Sequence, residues 1–482
     1  MNQQHVRRRF QRPEIEEQAL TADSPQRCAS PEERLTLTKQ AVMIALYVII
    51  IVDSLVSATF SPIGDCDEVY NYWEPTHYLL YGSGMQTWEY SPTYGLRSYL
   101  YIFLHALIGA LVEPFAKWLY PLRYRNLMFF AIRYVFGLCH AFTMIRLVIA
   151  LRKKIGFRYA SAAGLFAALS PGIFQASTSY LPQSFSMYAV TLAFASFIED
   201  QGPFGCIFWM GVAGLVGWPF VGILAVCLAV PLVHRYGMIS CIQAALFTAV
   251  LCLVPSLIVD YYFYRKWMLA VLNIIKYNVF TSHGADLFGV EPWHYFIRNL
   301  FLNFNVVFLA YLLVFPVAGI VWWKWSNAAN YSAPIPVFAA IPPETAKVCV
   351  GKEWYRFPSS FFLPTPDSEL LYLKSEFSGL LPRPFSRLND GTRVIPPGMN
   401  DLNKEEPDRY SDISQCDFIV DLDLPHQQEP HYDRLKEFKV VYKAPFLDAS
   451  RTPWWCRAFW LPFLHENCRA DAKYQLLQRI RE

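Results

Sequence analysis

Long apolar runs separated by short polar marks fill the first two thirds of the chain, and the pattern then changes. Residues 1–38, with "RRRFQRPEIEEQ" and a stretch rich in Pro, Ser and Glu, hold too few apolar positions to bury a core. They are predicted to be a disordered tail. The run Ala41 to Phe60, "AVMIALYVIIIVDSLVSATF", comes too late and is too long for a cleaved signal peptide. It predicts a first membrane span, and the Arg and Lys before it place the N-terminus in the cytosol. Further apolar runs lie near 98–116, 127–150, 160–178, 183–199, 204–217, 218–233, 240–262 and 299–323. Between Pro203 and Val259 the only full charge is Arg235, so this part predicts two or three spans turning at "GWPF" and "HRYG". The run 98–116 is ambiguous. If it crosses, "RKKIGFR" at 152–158 falls in the lumen; if it lies along the lumenal interface, those basic residues fall in the cytosol, as the positive-inside rule prefers. The interfacial alternative is expected, giving about eight spans over a transmembrane module 39–325 with a lumenal first loop at 59–97.

Beyond Trp325 the chain becomes Pro-rich and acidic, and "FIVDLDLP" (418–425) and "KVVYKAPFL" (439–447) read as strands. Residues 326–345 are expected to be a linker and 346–482 a soluble domain. The predicted fold class is mainly α, a polytopic membrane protein with a small C-terminal α/β or mixed domain. Composition supports this: 54% hydrophobic and only 17% charged residues exclude an ordinary soluble globule. A formal charge of +3, with Lys and Arg scattered, argues against nucleic acid as a partner and leaves the lipid bilayer as the expected one. The 11 Cys show no metal-ligand spacing and leave the redox compartment open.

The carboxylates Asp65, Asp67 and Glu68 crowd into "GDCDEVYNYWEP", Gly64 to Pro75, just after the first span. In a regular helix, Asp67, Asn71, Glu74 and Tyr78 share one face, with Pro75 kinking it or starting a turn. Such a face can hold a polyol; a carboxylate can act as general base toward a sugar hydroxyl, and Trp73 or Trp88 can stack on a sugar ring or prenyl chain. A solvated acidic loop beside an interfacial aromatic belt accounts for the same residues, so both readings stand. Residues 277–295, "SYLPQS" (179–184) and the Gly217–Phe220 turn are expected on the same side as the cluster.

"DCDEVYNYWEPTHYLLYGSGMQTWEYSPTYGLRSYLYIFLHA", together with "GWPF", "YNVFTSHGADLFGVEPW", "LNFNV" and "VCVGKEWYRFPSSFFLP", resembles the endoplasmic-reticulum α-1,2-mannosyltransferases of asparagine-linked glycosylation, in glycosyltransferase family 22. The resemblance implies a GT-C fold in the endoplasmic reticulum membrane. It also implies transfer of mannose from dolichyl-phosphate mannose to a dolichol-pyrophosphate-linked oligosaccharide, by a single inverting displacement. On that basis Asp67 is the expected base, Asp65 the second choice, and Glu68 a residue that orients base or acceptor. Asn71, Trp73 and Glu74 join the substrate-binding set. Arg97, His77 and His283 are candidates to meet the departing phosphate. Asp286 and Glu291 shape the acceptor site or a structural loop. No metal and no cofactor are expected, and the lone sequon at Asn330 is a weak candidate for glycosylation.

The chain departs from the family after "LNFNVVFLAYLLVF", where members continue through further spans and an "HKEERF" stretch. Loss of an odd number of spans would carry residues 346–482 to the cytosol. A shortened, inactive form acting as a binding partner is therefore the alternative to an enzyme. A transporter is the third reading, although charge here concentrates in loops, with Asp53 and Asp260 isolated near span ends.

Overall fold

The computed structural model describes residues 31–281, 290–312, 330–386, 391–425, 427–453, 456–457 and 468–480. The helices are α1 (Pro31–Phe60), α2 (Cys66–Glu68), α3 (Glu74–Tyr81), α4 (Tyr99–Leu119), α5 (Tyr124–Lys154), α6 (Phe157–Leu169) and α7 (Pro171–Ala176). They continue with α8 (Pro182–Glu199), α9 (Gly202–Val212), α10 (Ile223–Tyr236), α11 (Met238–Tyr264), α12 (Ala270–Phe280), α13 (Trp293–Leu312) and α14 (Pro334–Ala339). Among the described residues five helices are long and apolar enough to cross a membrane: Thr36–Phe60 of α1, α4, α5, Pro219–Tyr236 including α10, and α11. The expected count of about eight is thus matched only in part by length. The predicted run 98–116 is a continuous 21-residue helix, α4, that length and composition would allow to span.

Two ends of the bundle can be told apart. At one, the carboxylate of Glu199 closing α8 holds Arg146 and Lys153 of α5, and the next residue, Asp200, pairs with Arg235 of α10. The basic residues of the 152–158 stretch gather here. The other end lies about 46 Å away along the 31 residues of α5. There Arg123 donates to the carbonyls of Ala339 and Ile341. Both ends of α4 sit at this second end. At its start, Asp260 of α11, fully buried, accepts from the Tyr99 N–H (2.7 Å) and the Ser98 hydroxyl (3.0 Å). Three residues on in α11, Phe263 O accepts from Thr392. Asp260 is therefore held as a cap for α4, and Arg133, buried in α5, donates to Ser57 O, Ser61 O and Thr178 at the end of α1. Both polar side chains close helix ends, which gives them a structural role in place of the ion relay a transporter needs.

The C-terminal strands are β2 (Lys347–Val350), β3 (Glu369–Tyr372), β5 (Phe418–Asp423), β6 (Phe438–Leu447) and β7 (Asp471–Arg479), with β1 (Met85–Gln86) and β4 (Arg383–Pro384) forming a separate two-stranded ribbon. The five-stranded sheet runs β3-β2-β5-β7-β6, parallel at β3-β2-β5 and antiparallel at β5-β7-β6. Both stretches read as strands in the sequence, 418–425 and 439–447, are strands here. Disulfides Cys349–Cys416 and Cys456–Cys468 fix this half; such bonds persist in oxidising surroundings. Within 326–345, α14 buries Val337 and Phe338 completely, and Asn330 of the sequon is also fully buried.

The C-terminal half packs directly against the first loop. Ribbon β1-β4 pairs the first loop with the C-terminal half, Tyr70 Oη donates to Trp354 O (2.7 Å), and fully buried Glu74 bonds Ser359 and Ser360. Trp73, also fully buried, packs on Phe129 (4.3 Å between centroids) and edge-on to Phe361 (5.7 Å). A shared aromatic core of this kind needs the two segments on one side of the membrane.

Candidate active site

The acidic stretch takes its shape from three backbone events. Asp65 is extended and its carboxylate accepts from the Asp67 N–H (2.9 Å), capping α2. Residues Val69–Trp73 then form a π-turn, closed by the Glu74 N–H on Val69 O. Pro75 follows, and having no N–H it leaves Asn71 O without its helical donor. The Tyr90 hydroxyl takes that place at 2.7 Å. The extra residue per turn in a π segment rotates everything after it. The single face expected from helical spacing is thereby split: Asp67 and Asn71 line a cavity, whereas Glu74 and Tyr78 turn to the C-terminal half, Tyr78 stacking on Phe385 at 4.1 Å.

The cavity, about 540 Å³, is walled by four parts of the chain. The first loop gives Asp65, Asp67, Asn71, Trp88, Glu89 and Arg97; the "GWPF" turn gives Trp218; α12 gives Ile274, Tyr277 and Asn278; the C-terminal half gives Trp354, Phe377, Leu380–Pro382 and Asn403. Two of the three segments expected beside the acidic cluster thus reach the cavity. The third, 179–184, sits just behind it, where the Tyr180 N–H donates to Glu68 (3.0 Å). Gly95 turns the wall with φ +52°, and a Cβ there would strike the Met268 sulfur.

Asp67 opens to the cavity and makes no hydrogen bond through its carboxylate among the described residues. The walls packed around the cavity keep part of the water from it, and that desolvation, then the charges of Glu89 and Asp65, push its carboxyl up to about 6, while Arg97 pulls it down. Arg97 grips Glu89 with two hydrogen bonds (2.9 and 3.0 Å), donates to Tyr72 Oη (2.7 Å), and lies 5.7 Å from the Tyr72 and Trp218 ring centroids. The Asn71 carbonyl accepts from the Thr87 hydroxyl (2.7 Å), so its amide nitrogen is the group left for a ligand.

Several expected site residues stand elsewhere. Trp73 cannot stack on a sugar because it is core, and its indole N–H donates to Glu68 (3.1 Å). Glu68 is buried and held by that bond and by the Tyr180 N–H, so it braces the loop from behind. Glu74 ties the two halves together and is absent from the cavity lining. His77 lies behind the cavity wall; burial holds its imidazole down to about 3 and Nδ1 donates to Ser83 O (2.6 Å). Glu291 is exposed ahead of α13, away from the cavity lining. His283 and Asp286 lie outside the described residues. Glu89, Tyr277 and Asn278 escaped the sequence reading. Trp354, Phe377 and Asn403 carry no local signal, being 250 or more residues from the loop they face.

The side-chain donors of Asp65, Cys66 and Asp67 come within 4.8 Å of one another, as do those of Asp423, His431 and Asp433. Burial and the two carboxylates push the Cys66 thiol up to about 12, so at neutral pH it is a protonated thiol and a poor ligand. His431 Nδ1 is engaged with Asp423 at 2.7 Å. Neither group makes a complete ligand set.

A smaller pocket of about 50 Å³ shares Leu96, Arg97 and Trp218 with the polar cavity. It shares Leu215, Pro219 and Val271 with an apolar furrow of about 570 Å³ between α9, α10, α11 and α12, lined by groups such as Met210, Gly214, Ala229 and Leu272. A charged, hydroxyl-binding chamber beside a greasy furrow among membrane helices suits an amphiphile with a polar head and a long hydrocarbon tail.

The amino-acid sequence is similar to those of known proteins. The chain is 33% identical to the alpha-1,2-mannosyltransferase ALG9 of Mus musculus over 538 aligned residues, covering 88% of this chain and 87% of that protein. It is 33% identical to the Homo sapiens protein of the same name with the same coverage, and 33% identical to that of Schizosaccharomyces pombe, covering 88% and 92%. An alignment of 538 residues exceeds the 482 of this chain, so gaps fall within it. Residues 45–342 match the Alg9-like mannosyltransferase family, and the chain belongs to that family.

Proposed function

We propose that this chain transfers mannose from dolichyl-phosphate mannose to a dolichol-pyrophosphate-linked oligosaccharide, making an α-1,2 linkage for protein N-glycosylation in the lumen of the endoplasmic reticulum. One observation carries the reading: the unbonded carboxylate of Asp67, raised toward neutrality, stands in a sugar-sized chamber beside an apolar furrow. Asp67 takes the proton from the acceptor 2-hydroxyl as its oxygen bonds to the anomeric carbon. The bond from that carbon to the phosphate oxygen breaks with inversion, and dolichyl phosphate leaves as an anion. Asp65 holds the backbone of the base, Asn71 binds a sugar hydroxyl, Trp88 and Trp218 offer ring faces, and Arg97 at the smaller pocket meets the phosphate.

The membrane arrangement supports the same picture. With α4 lying along the interface, α1 leads from the cytosol to the first loop and α5 leads back, so the basic 152–158 stretch faces the cytosol, with Arg235 at the same end of the bundle. The two disulfides lie in the half that packs against the first loop, which is the oxidising lumenal side in this reading.

A second reading has its own observation. The described lining carries Asp65, Asp67 and Glu89 against Arg97 alone, and Arg97 is already engaged by Glu89. A site short of cations holds a phosphate donor weakly, which fits a shortened chain that binds acceptor as a partner without turning over. Membranes from cells lacking the full-length enzyme, supplied with dolichyl-phosphate mannose and the truncated lipid-linked acceptor, separate the two. Mannose incorporation that disappears in Asp67→Asn is the expected result. Incorporation unchanged in that variant removes Asp67 as base, and none from the stably made wild-type chain supports the binding partner.

A further inference from the structure

A second cavity, about 200 Å³, lies in the seam between the first loop and the C-terminal half, lined among others by His77, Ser83, Arg125, Ser360, Leu371 and Phe385. Ribbon β1-β4 separates it from the active-site chamber: Thr87 and Pro382 face the chamber, Gly84 and Pro384 this cavity. Along a strand that step is about 10 Å.

Two buried groups here lack partners. Arg125 is 6% exposed, makes no ion pair, and its Nη1 has no hydrogen-bond partner among the described residues. His77 is 1% exposed and, with Nδ1 donating to Ser83 O, has Nε2 unpartnered. A charge kept from water is costly without a counter-charge. The surrounding groups do not supply one. On α3, Tyr81 presents its ring to the guanidinium at 5.3 Å; on α4, Glu113 is paired with Lys117 at 3.1 Å; on β3, Glu369 at the rim is exposed. The hydroxyls of Ser360 and Ser368 are committed to Glu74 and to Thr365. Arg125 also sits in the first turn of α5, where a span begins and where the positive end of the helix adds to its field.

We propose that this seam cavity binds a phosphate group, with Arg125 donating to its oxygens and His77 Nε2 accepting from its P–OH. A bridging water satisfies both hydrogen bonds but leaves the charge uncompensated. A hydrogen phosphate or phosphomonoester matches both requirements, and its volume fits the space. Two sources carry this chemistry, a lipid headgroup at the depth where α5 enters the bilayer and free phosphate from the lumen. The site is separate from the transferase chamber and does not depend on turnover.

The test uses the full chain in phosphatidylcholine nanodiscs, following the thermal unfolding midpoint by tryptophan fluorescence while inorganic phosphate replaces chloride at constant ionic strength. A saturable rise is expected in the wild type, with apparent affinity at least tenfold weaker in Arg125→Gln. Arg125→Met in phosphate-free buffer should be no less stable than wild type, because it removes an uncompensated charge. Stabilisation by nanodiscs containing phosphatidic acid, with no further response to phosphate, identifies the lipid headgroup as the source; response to inorganic phosphate alone identifies the free ion. No phosphate response in the wild type overturns the proposal whatever the variants do. So does an equal response in Arg125→Gln, or a larger response to methyl mannoside than to phosphate.

Discussion

Replacing Glu74 by Gln decides whether this residue ties the protein together or holds its substrate. The carboxylate accepts four hydrogen bonds in a site with no exposure: from Ser359 Oγ (2.9 Å), Ser360 N (2.6 Å), Ser360 Oγ (2.7 Å) and Met85 N (2.8 Å). Burial nevertheless pushes this carboxyl above its usual range, so charge and bonds oppose each other. A carboxamide has one accepting oxygen and turns an NH₂ toward at least one backbone donor. Hydrogen bonds to a charged group contribute about 1.5–3 kcal/mol each, and a stranded buried N–H costs about 1–3 kcal/mol. The neutral amide recovers part of this by shedding the cost of burying a charge. A net loss of about 2 kcal/mol is therefore expected, read as a lower unfolding midpoint and faster protease cleavage between the two halves. Activity should fall through kcat, because Trp354, Phe377 and Asn403 of the loosened half wall the chamber, while KM for acceptor changes little. Wild-type stability with a raised acceptor KM would refute this and restore Glu74 to the sugar-binding face that helical spacing implied.

Two other outcomes follow from the site. With Asp67 acting as an ionised base, kcat/KM should fall about tenfold per pH unit below about 6. Arg97→Gln removes the charge that lowers this pKa and should move the acid limb to higher pH; Glu89→Gln removes one that raises it and should move the limb to lower pH. Identical limbs in a pH–rate profile would count against Asp67. Ala229→Trp, which fills the furrow, should raise KM at least tenfold for a long polyprenyl donor and leave a short-chain donor unaffected. Equal effects on both donors would remove the furrow as the tail site.

The acidic loop, the turn at 217–220 and the 277–295 segment were legible because each carries its own local signal, polar marks after an apolar run. Strands β5 and β6 were legible for the same reason. The roles of Trp73, Glu74 and His77 were not. Their orientation depends on a π-turn that no residue spacing announces, and on Ser359, Ser360 and Phe361, which lie nearly 300 residues away. The packing of the C-terminal half on the first loop was not legible either, because counting spans ignores packing. A few buried hydrogen bonds to Glu74 constrain sidedness more tightly than parity does. Arg97 was legible as a cation near the phosphate, but its grip by Glu89 was not, since the pair closes only when residues 88–90 form their short 3₁₀ turn.

The tie at Glu74 also sets a clock. Its partners Ser359 and Ser360 lie 285 and 286 residues further along the chain. At about 5–20 residues per second, synthesis delivers them roughly 15 to 60 s after Glu74 has been made. Through that interval the carboxylate, Trp73 and the wall of the sugar chamber stand uncovered beside the membrane. The catalytic loop is thus among the first parts to be built and among the last to be finished, and a nascent chain is open to chaperone binding at the very place where the mature protein does its chemistry.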